Sequence, residues 1–203
     1  MEWDKLANEN DINKTVESVK SRGINVILVD NKEEALEEIK KLIPKGSEVM
    51  NGSSTTLNEI GFMDYLKSGE HGWKNLHEEA LKEKDMGKQM DFRRKAVCAE
   101  YFLGSLNAIS KNGELIACDN SGSRVGAYLF AAKNLILVAS TQKITNSLEE
   151  GMKRIREHVF PLEDARARKA YGFPSNTSKW IIIEKEIFTN RTTLILVKEK
   201  LGF

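Results

Sequence analysis

Short runs of almost uninterrupted apolar, β-branched residues, each followed by a stretch of helical periodicity, constrain the fold of this chain more than any other feature. Ile24-Asn25-Val26-Ile27-Leu28-Val29 is one such run, and Asn134 to Ala139 is another. A strand with one wet face alternates apolar and polar residues, so a run without alternation predicts a strand buried on both faces. Between the runs the apolar spacing changes to three and four. Ala35, Leu36, Ile39, Leu42 and Ile43 repeat in this way after Asn31, which can cap a helix with Glu34 as its reciprocal partner, and Pro44 and Gly46 stop the pattern. The same reading gives helices over 12–22, through Leu57, Ile60, Tyr65 and Leu66, over 75–96, over 123–132, and through Leu148, Met152, Ile155 and Val159. Strands fall at Glu48 to Asn51, within 96–109, at Glu114 to Cys118, at Ile181 to Ile183 and at Thr193 to Val197. Asn112-Gly113, flanked by Ile109 and Leu115, is a hairpin signal and adds an antiparallel pair. Such alternation predicts an α/β fold with a mainly parallel sheet covered on both faces. No linker, internal repeat or low-complexity stretch interrupts the 203 residues. The span 1–203 therefore reads as a single domain, with 1–14 a loosely ordered amino-terminal segment.

Charge and cysteine usage close off several function classes. Lysine plus arginine number 31 against 30 aspartate plus glutamate, a net charge of +1. That balance leaves no broad basic excess for nucleic acid, though it permits a local basic site. The longest apolar runs are about six residues, far short of the roughly 18 that span a bilayer. The polar start Met1-Glu2-Trp3-Asp4 lacks a basic-then-apolar leader, so a cytoplasmic location is expected. Cys98 and Cys118 lie in apolar sequence and are too few for a zinc or iron–sulfur site. His71, His77 and His158 share no metal-ligand spacing, so no metal is expected; His158 reads as a group favouring a helix carboxyl terminus. Arg154, Arg156, Arg166, Arg168 and Lys169 interleave with Glu157, Glu163 and Asp164, the pattern of a solvated helical face. Neither G-x-G-x-x-G nor G-x-x-x-x-G-K-[ST] occurs.

In mainly parallel sheets ligands bind beyond the carboxyl ends of the strands, and three loops there hold the candidate site. Gly52-Ser53-Ser54-Thr55-Thr56 joins a strand to a helix, where glycine, hydroxyls and free helix N–H groups suit a phosphate or carboxylate. One of these serines also serves as the helix cap, with Glu59 favouring the first turns. Asp119-Asn120-Ser121-Gly122-Ser123-Arg124 makes the second loop. Arg124 there can clamp an anion in bidentate fashion, and Asp119 can act as a base or accept from substrate hydroxyls. Lys143, after the strand Asn134 to Ala139, is either a second anion ligand, a catalytic lysine or a solvated turn residue.

The segment Gly52-Ser53-Ser54-Thr55-Thr56-Leu57-Asn58-Glu59-Ile60-Gly61-Phe62 resembles the G-x-S-x-T-L-x-E-I-G motif of LUD-domain proteins, the lactate-utilisation group that includes LutC/YkgG-like chains. The likeness continues in order through Arg93-Arg94-Lys95-Ala96, Gly104-Ser105-Leu106-Asn107-Ala108-Ile109, Asn112-Gly113-Glu114-Leu115 and Gly122-Ser123-Arg124-Val125-Gly126-Ala127. It then takes in Lys143-Ile144, Leu148-Glu149-Glu150 and Arg154-Ile155-Arg156 and ends near Thr193 to Phe203. It implies a three-layer α/β/α fold of the NagB/RpiA/CoA-transferase-like kind. It also implies a role in L-lactate oxidation beside iron–sulfur partner proteins. Many relatives carry a cysteine cluster before the last strand; 173–192 here holds none, and Gln142 replaces the family's asparagine before the matching lysine. Val159-Phe160-Pro161 stands where relatives have a small-residue turn.

These features predict a substrate-binding or accessory subunit for a small anionic metabolite, a 2-hydroxy acid such as L-lactate. The sequence shows no evident hydride or electron acceptor of its own, so no cofactor is named and redox chemistry falls to a partner or a bound group. The alternative is a stand-alone isomerase or transferase on a sugar phosphate or CoA ester, with Glu59 or Asp119 as base or nucleophile. A non-catalytic small-ligand sensor is the third reading. Homo-oligomerisation stays open, and no nucleic acid or membrane partner is expected.

Overall fold

The computed structural model describes residues 3–203; Met1 and Glu2, the first half of the polar start, lie outside the described residues. Six strands form one sheet: β1 (Asn25–Val29), β2 (Glu48–Asn51), β3 (Lys74–Asn75), β4 (Tyr101–Ser105), β7 (Asn134–Ser140) and β10 (Thr192–Val197). They lie in the order β1-β10-β7-β4-β2-β3, and every pairing is parallel. A second sheet holds β5 (Ala108–Ser110), β6 (Leu115–Asp119), β8 (Ile144–Thr145) and β9 (Lys179–Ile183), in the order β8-β5-β6-β9. The hairpin expected at Asn112-Gly113 joins β5 to β6, with Gly113 in the left-handed region at φ 99°.

Side-chain alternation along the central strands divides the core. Leu194 and Leu196 of β10, with Leu135 and Leu137 of β7, face α1 (Glu9–Ser21), α6 (Met86–Ala96) and α7 (Ser123–Gly126), the last continued by a π-helical segment, Ala127–Ala131. Ile195 and Val197, with Ile136 and Val138, face α2 (Lys32–Leu42), α3 (Thr55–Glu59) and α4 (Phe62–Ser68). Helices thus cover both faces, the three-layer α/β/α arrangement. In the second sheet Leu115 and Ala117 join the first of these clusters. Ile116 and Cys118 face the continuous helix built from α8 (Leu148–Arg154), a second π-helical segment Ile155–Val159, and α9 (Phe160–Tyr171).

Several elements differ from the periodicity. The run at 24–29 is not buried on both faces: β1 pairs only with β10 and leaves Leu28 36% exposed at the sheet edge. Which apolar strand ends up central is settled by strand order, which a local run does not encode. The helix through Leu57 and Leu66 is two helices, because Gly61 adopts φ 77° between them. The 75–96 stretch divides into α5 (Leu76–Lys82) and α6, and Asp85 caps the latter by accepting from Lys88 N at 2.8 Å. The first helix starts at Glu9 behind an Asn8 cap, so residues 9–14 are helical. The helix through Val159 continues past Pro161 to Tyr171; proline lacks an N–H, and it stands directly after the π-helical segment Ile155–Val159, where the regular hydrogen-bond ladder is already interrupted. Cys98 is exposed in the turn after α6, and only Cys118 is buried.

A buried ion pair anchors the carboxyl end of the first π-helical segment. Arg191 Nη1 donates to Glu186 Oε2 at 2.8 Å, Nη2 to the carbonyls of Ala127 and Tyr128, and Nε to that of Ala132. Glu186 Oε2 also accepts from Thr192 Oγ1 at 2.8 Å. Arg191→Met would leave the Glu186 charge and these carbonyls unpaired. It should destabilise the protein by about 3–5 kcal/mol, measured by urea denaturation.

Candidate functional site

Two strands of the parallel sheet leave it at their carboxyl ends and enter the second sheet within a few residues. β4 passes through Leu106-Asn107 into β5, and β7 passes through a 3₁₀ turn, Thr141–Lys143, into β8. The turn is held by Ser140, whose hydroxyl accepts from Gln142 N at 3.3 Å. Lys143 follows and is only 2% exposed. Its Nζ donates to the Leu106 carbonyl at 3.1 Å and lies 2.9 Å from Thr56 Oγ1 and 3.1 Å from Ser105 Oγ. Thr56 comes from the first turn of α3, where Ser54 is the cap and accepts from Leu57 N at 3.2 Å. Ser105 is the last residue of β4, and its hydroxyl donates to Thr56 Oγ1 at 3.1 Å.

Arg154 approaches the same crossing from the end of α8. It is fully buried. Nη1 donates to the Asn107 carbonyl at 2.6 Å and Nη2 to the Trp3 carbonyl at 3.3 Å, while Nε is buried without a partner. Lys143 and Arg154 therefore grip consecutive carbonyls of the β4–β5 crossing, and among the described residues neither meets a carboxylate in an ion pair. Burial pulls the Arg154 guanidinium down to about 10, with Asp4 opposing. Burial, with the Arg154 and Arg124 cations adding to it and Glu59 opposing, pushes the Lys143 amine down to about 7.

Arg124 forms the adjoining wall. Its Nη2 donates to the Cys118 carbonyl at 2.6 Å and its guanidinium lies 5.9 Å from the centre of the Tyr128 ring. The side chain passes so close to Gly52 that a Cβ there would sit 2.8 Å from Arg124 Cδ, which is the reason this loop needs glycine. Tyr128, buried and with its hydroxyl pushed up to about 12 by that burial, donates to the Ser105 carbonyl at 3.0 Å.

Residues 200–203 roof the site. Gln142 Nε2 donates to the carbonyls of Gly202 at 3.0 Å and Leu201 at 3.4 Å, and Gly202 N donates to Glu59 Oε2 at 2.6 Å. Gly202 has φ 62°, and a Cβ on it would lie 2.3 Å from Thr56 Oγ1 and 3.2 Å from Lys143 Nζ. The Lys143 amine is thus covered at this point by backbone, not by a side chain. Lys200 donates to Asp4 and ties the roof to the segment that carries Trp3. Open concavities lined by Asn25 and Asn190, and by Phe130, Asn134 and Phe188, lie at the opposite, amino ends of the strands.

Of the residues singled out in the sequence, Gly52, Thr56, Glu59, Arg124 and Lys143 converge here. Ser54 is engaged as a cap, Ser53 is exposed, and Thr55 is half-buried beside them. Asp119 accepts the Arg124 backbone N–H at 3.0 Å, Ser121 and Ser123 bond each other at 3.0 Å on the surface, and exposed Asn120 accepts from Ser178 at 3.2 Å. Gly122 opens α7 in the left-handed region.

Ser105, Tyr128, Gln142, Gly202 and above all Arg154 join the site although no local pattern marks them as part of it. The 154–169 stretch is a solvated face only in part: Arg166 pairs with Glu163 and Arg168 with Asp164, and Arg156 lies over Trp180, but Arg154 points inward. The signal was positional, since Arg154 shares a helical stripe with Leu148, Gly151 and Ile155. His158 caps no helix end; it lies within the continuous helix near the Trp3 ring. Burial, with Arg154 adding to it, holds its pKa below the usual range.

A family model for the LUD domain matches residues 12–197. A DUF162 family protein from Deinococcus radiodurans has a crystal structure that superposes with a TM-score of 0.55 at 15% identity, covering 95% of this chain and 99% of the other. At that identity the likeness shows the fold alone. No curated protein matches.

The buried amine makes stability depend on pH. Lys143 titrates near 7 in the folded chain against 10.5 ordinarily, so between those values the unfolded chain binds the extra proton and stability rises with pH. Between pH 7 and pH 9 the wild type should gain about 2 kcal/mol more than Lys143→Met does, read from urea midpoints of both proteins.

Proposed function

The chain belongs to the LUD-domain family, a lactate-utilisation-related domain, and from that premise we propose that it is the substrate-binding or accessory component of 2-hydroxy acid oxidation. Its ligand on this reading is a small carboxylate such as L-lactate, held at the crossing of the two sheets. One observation carries the reading: Lys143 and Arg154 are both buried, each cation disfavours charge on the other, and among the described residues they donate only to neutral acceptors. Buried cations ordinarily meet a carboxylate, and an anionic ligand would fill that place. The unpartnered Nε of Arg154 offers such a ligand a donor, and Thr56 and Ser105 offer hydroxyls to its 2-hydroxy group. The electron-accepting step belongs to a cysteine-rich iron–sulfur partner, because two isolated cysteines supply no cluster here.

The sugar-phosphate or CoA-ester reading needs Glu59 or Asp119 as base or nucleophile. Each carboxylate already accepts a backbone N–H, from Gly202 and from Arg124 respectively, and this favours binding over catalysis by them.

Thermal unfolding with L-lactate, inorganic phosphate and sugar phosphates tests the proposal, since a ligand bound to the native state raises the midpoint. L-lactate should raise it, and Arg154→Met should weaken the fitted affinity by about tenfold or more, the worth of a charged hydrogen bond. Stabilisation by a sugar phosphate but not by L-lactate would replace this reading with the other.

A further inference from the structure

We propose that Lys143 forms a reversible imine with a 2-oxo acid, the oxidised counterpart of a 2-hydroxy acid, at the crossing of the two sheets. The inference rests on the preceding reading that the site takes a small carboxylate, and adds to it a covalent step on this chain's own residue.

Nζ donates to three neutral acceptors, Thr56 Oγ1, Ser105 Oγ and the Leu106 carbonyl, and among the described residues it meets no carboxylate in an ion pair. The Leu106 carbonyl can only accept. Thr56 Oγ1 accepts from both Nζ at 2.9 Å and the Ser105 hydroxyl at 3.1 Å, so two hydroxyls lie against the nitrogen. An ammonium there has acceptors for its protons but no counter-charge in contact, and that missing charge, in a buried place beside Arg154, favours loss of a proton. Burial and the neighbouring guanidinium groups push its pKa to about 7, which favours the same state. A desolvated lysine beside other cations is the setting in which an amine becomes a nucleophile toward carbonyl carbon.

Arg154 supplies the second requirement. Its Nε, without a partner, is available to the carboxylate that neighbours the carbonyl of a 2-oxo acid. In the step itself the Nζ lone pair forms a bond to the carbonyl carbon as the C=O π pair moves onto oxygen. Both protons that leave nitrogen pass to that oxygen through the Thr56 and Ser105 hydroxyls, and the oxygen departs as water. Amine plus ketone gives imine plus water, with no oxidant or reductant, and hydrolysis reverses it. The opening this step calls for is at the Gly202 backbone, which Glu59 and Gln142 hold by hydrogen bonds.

Incubating the full chain with pyruvate and cyanoborohydride, followed by peptide mass spectrometry, reads the imine as a stable N-carboxyethyl group. The expected result is modification at Lys143 well ahead of the exposed lysines, lost in Lys143→Arg. Modification spread evenly over surface lysines, or absent from Lys143, overturns the proposal. Because the adduct is mapped in the unaltered protein, the result does not depend on the variant folding. If L-lactate raises the unfolding midpoint while no adduct forms at Lys143, only the imine fails. If neither acid raises it and no adduct forms, the carboxylate reading fails as well.

Discussion

The crossing of β4 and β7 from the parallel sheet into the second sheet is the constraint on which the rest of the architecture depends. At that point the chain abandons ladder hydrogen bonding, and the carbonyls of Leu106 and Asn107 need donors from elsewhere. Two long cationic side chains from one short stretch of the chain, Lys143 before β8 and Arg154 at the end of α8, meet that need. Holding these carbonyls with two buried cations, Lys143 and Arg154, costs more electrostatically than neutral donors would. The surroundings of the crossing are arranged around that expense. Ser105 and Thr56 surround the amine, Tyr128 holds the Ser105 carbonyl, and Arg191 holds the end of the segment that carries Tyr128.

The same arrangement explains why the site is closed. Leu201 is buried in the core, Gly202 spans the amine, and Asp4 with Lys200 links the two segments above Arg154. A roof without a side chain at its centre can approach a lysine nitrogen closely. Exclusion of water strengthens every charge interaction beneath it, including repulsion among the cations, and that repulsion is one reason the amine loses its proton so readily.

Much of this architecture was legible in the residues. The hairpin at Asn112-Gly113, the caps at Asn31 and Ser54, and the alternation of strands and helices follow from turn chemistry and burial period. The first loop, Arg124 and Lys143, named from the residues, are brought together by the fold at the carboxyl ends of the strands. Asp119, Ser121 and Ser123 looked equally functional, yet their hydrogen bonds are spent within their own loop. Arg154 was hidden by its composition: flanked by charged residues, it resembled a solvated position until its helix packed on β5 and β6. Cys98 shows the converse, an apolar neighbourhood in sequence that a turn brings to the surface.

The sequence by itself determined the element types, the mainly parallel sheet, the family likeness and the strand ends at which a site would lie. All of these depend on residues close together along the chain. The tertiary structure alone decided that β10 is central and β1 an edge, and which polar groups meet. Thr56 and Lys143 are 87 residues apart, Asn107 and Arg154 are 47 apart, and Glu59 reaches Gly202 across 143. No periodicity extends over such separations. The charge state of Lys143 depends on how completely distant segments exclude water from it, and that is settled only when the two sheets and their roof close together.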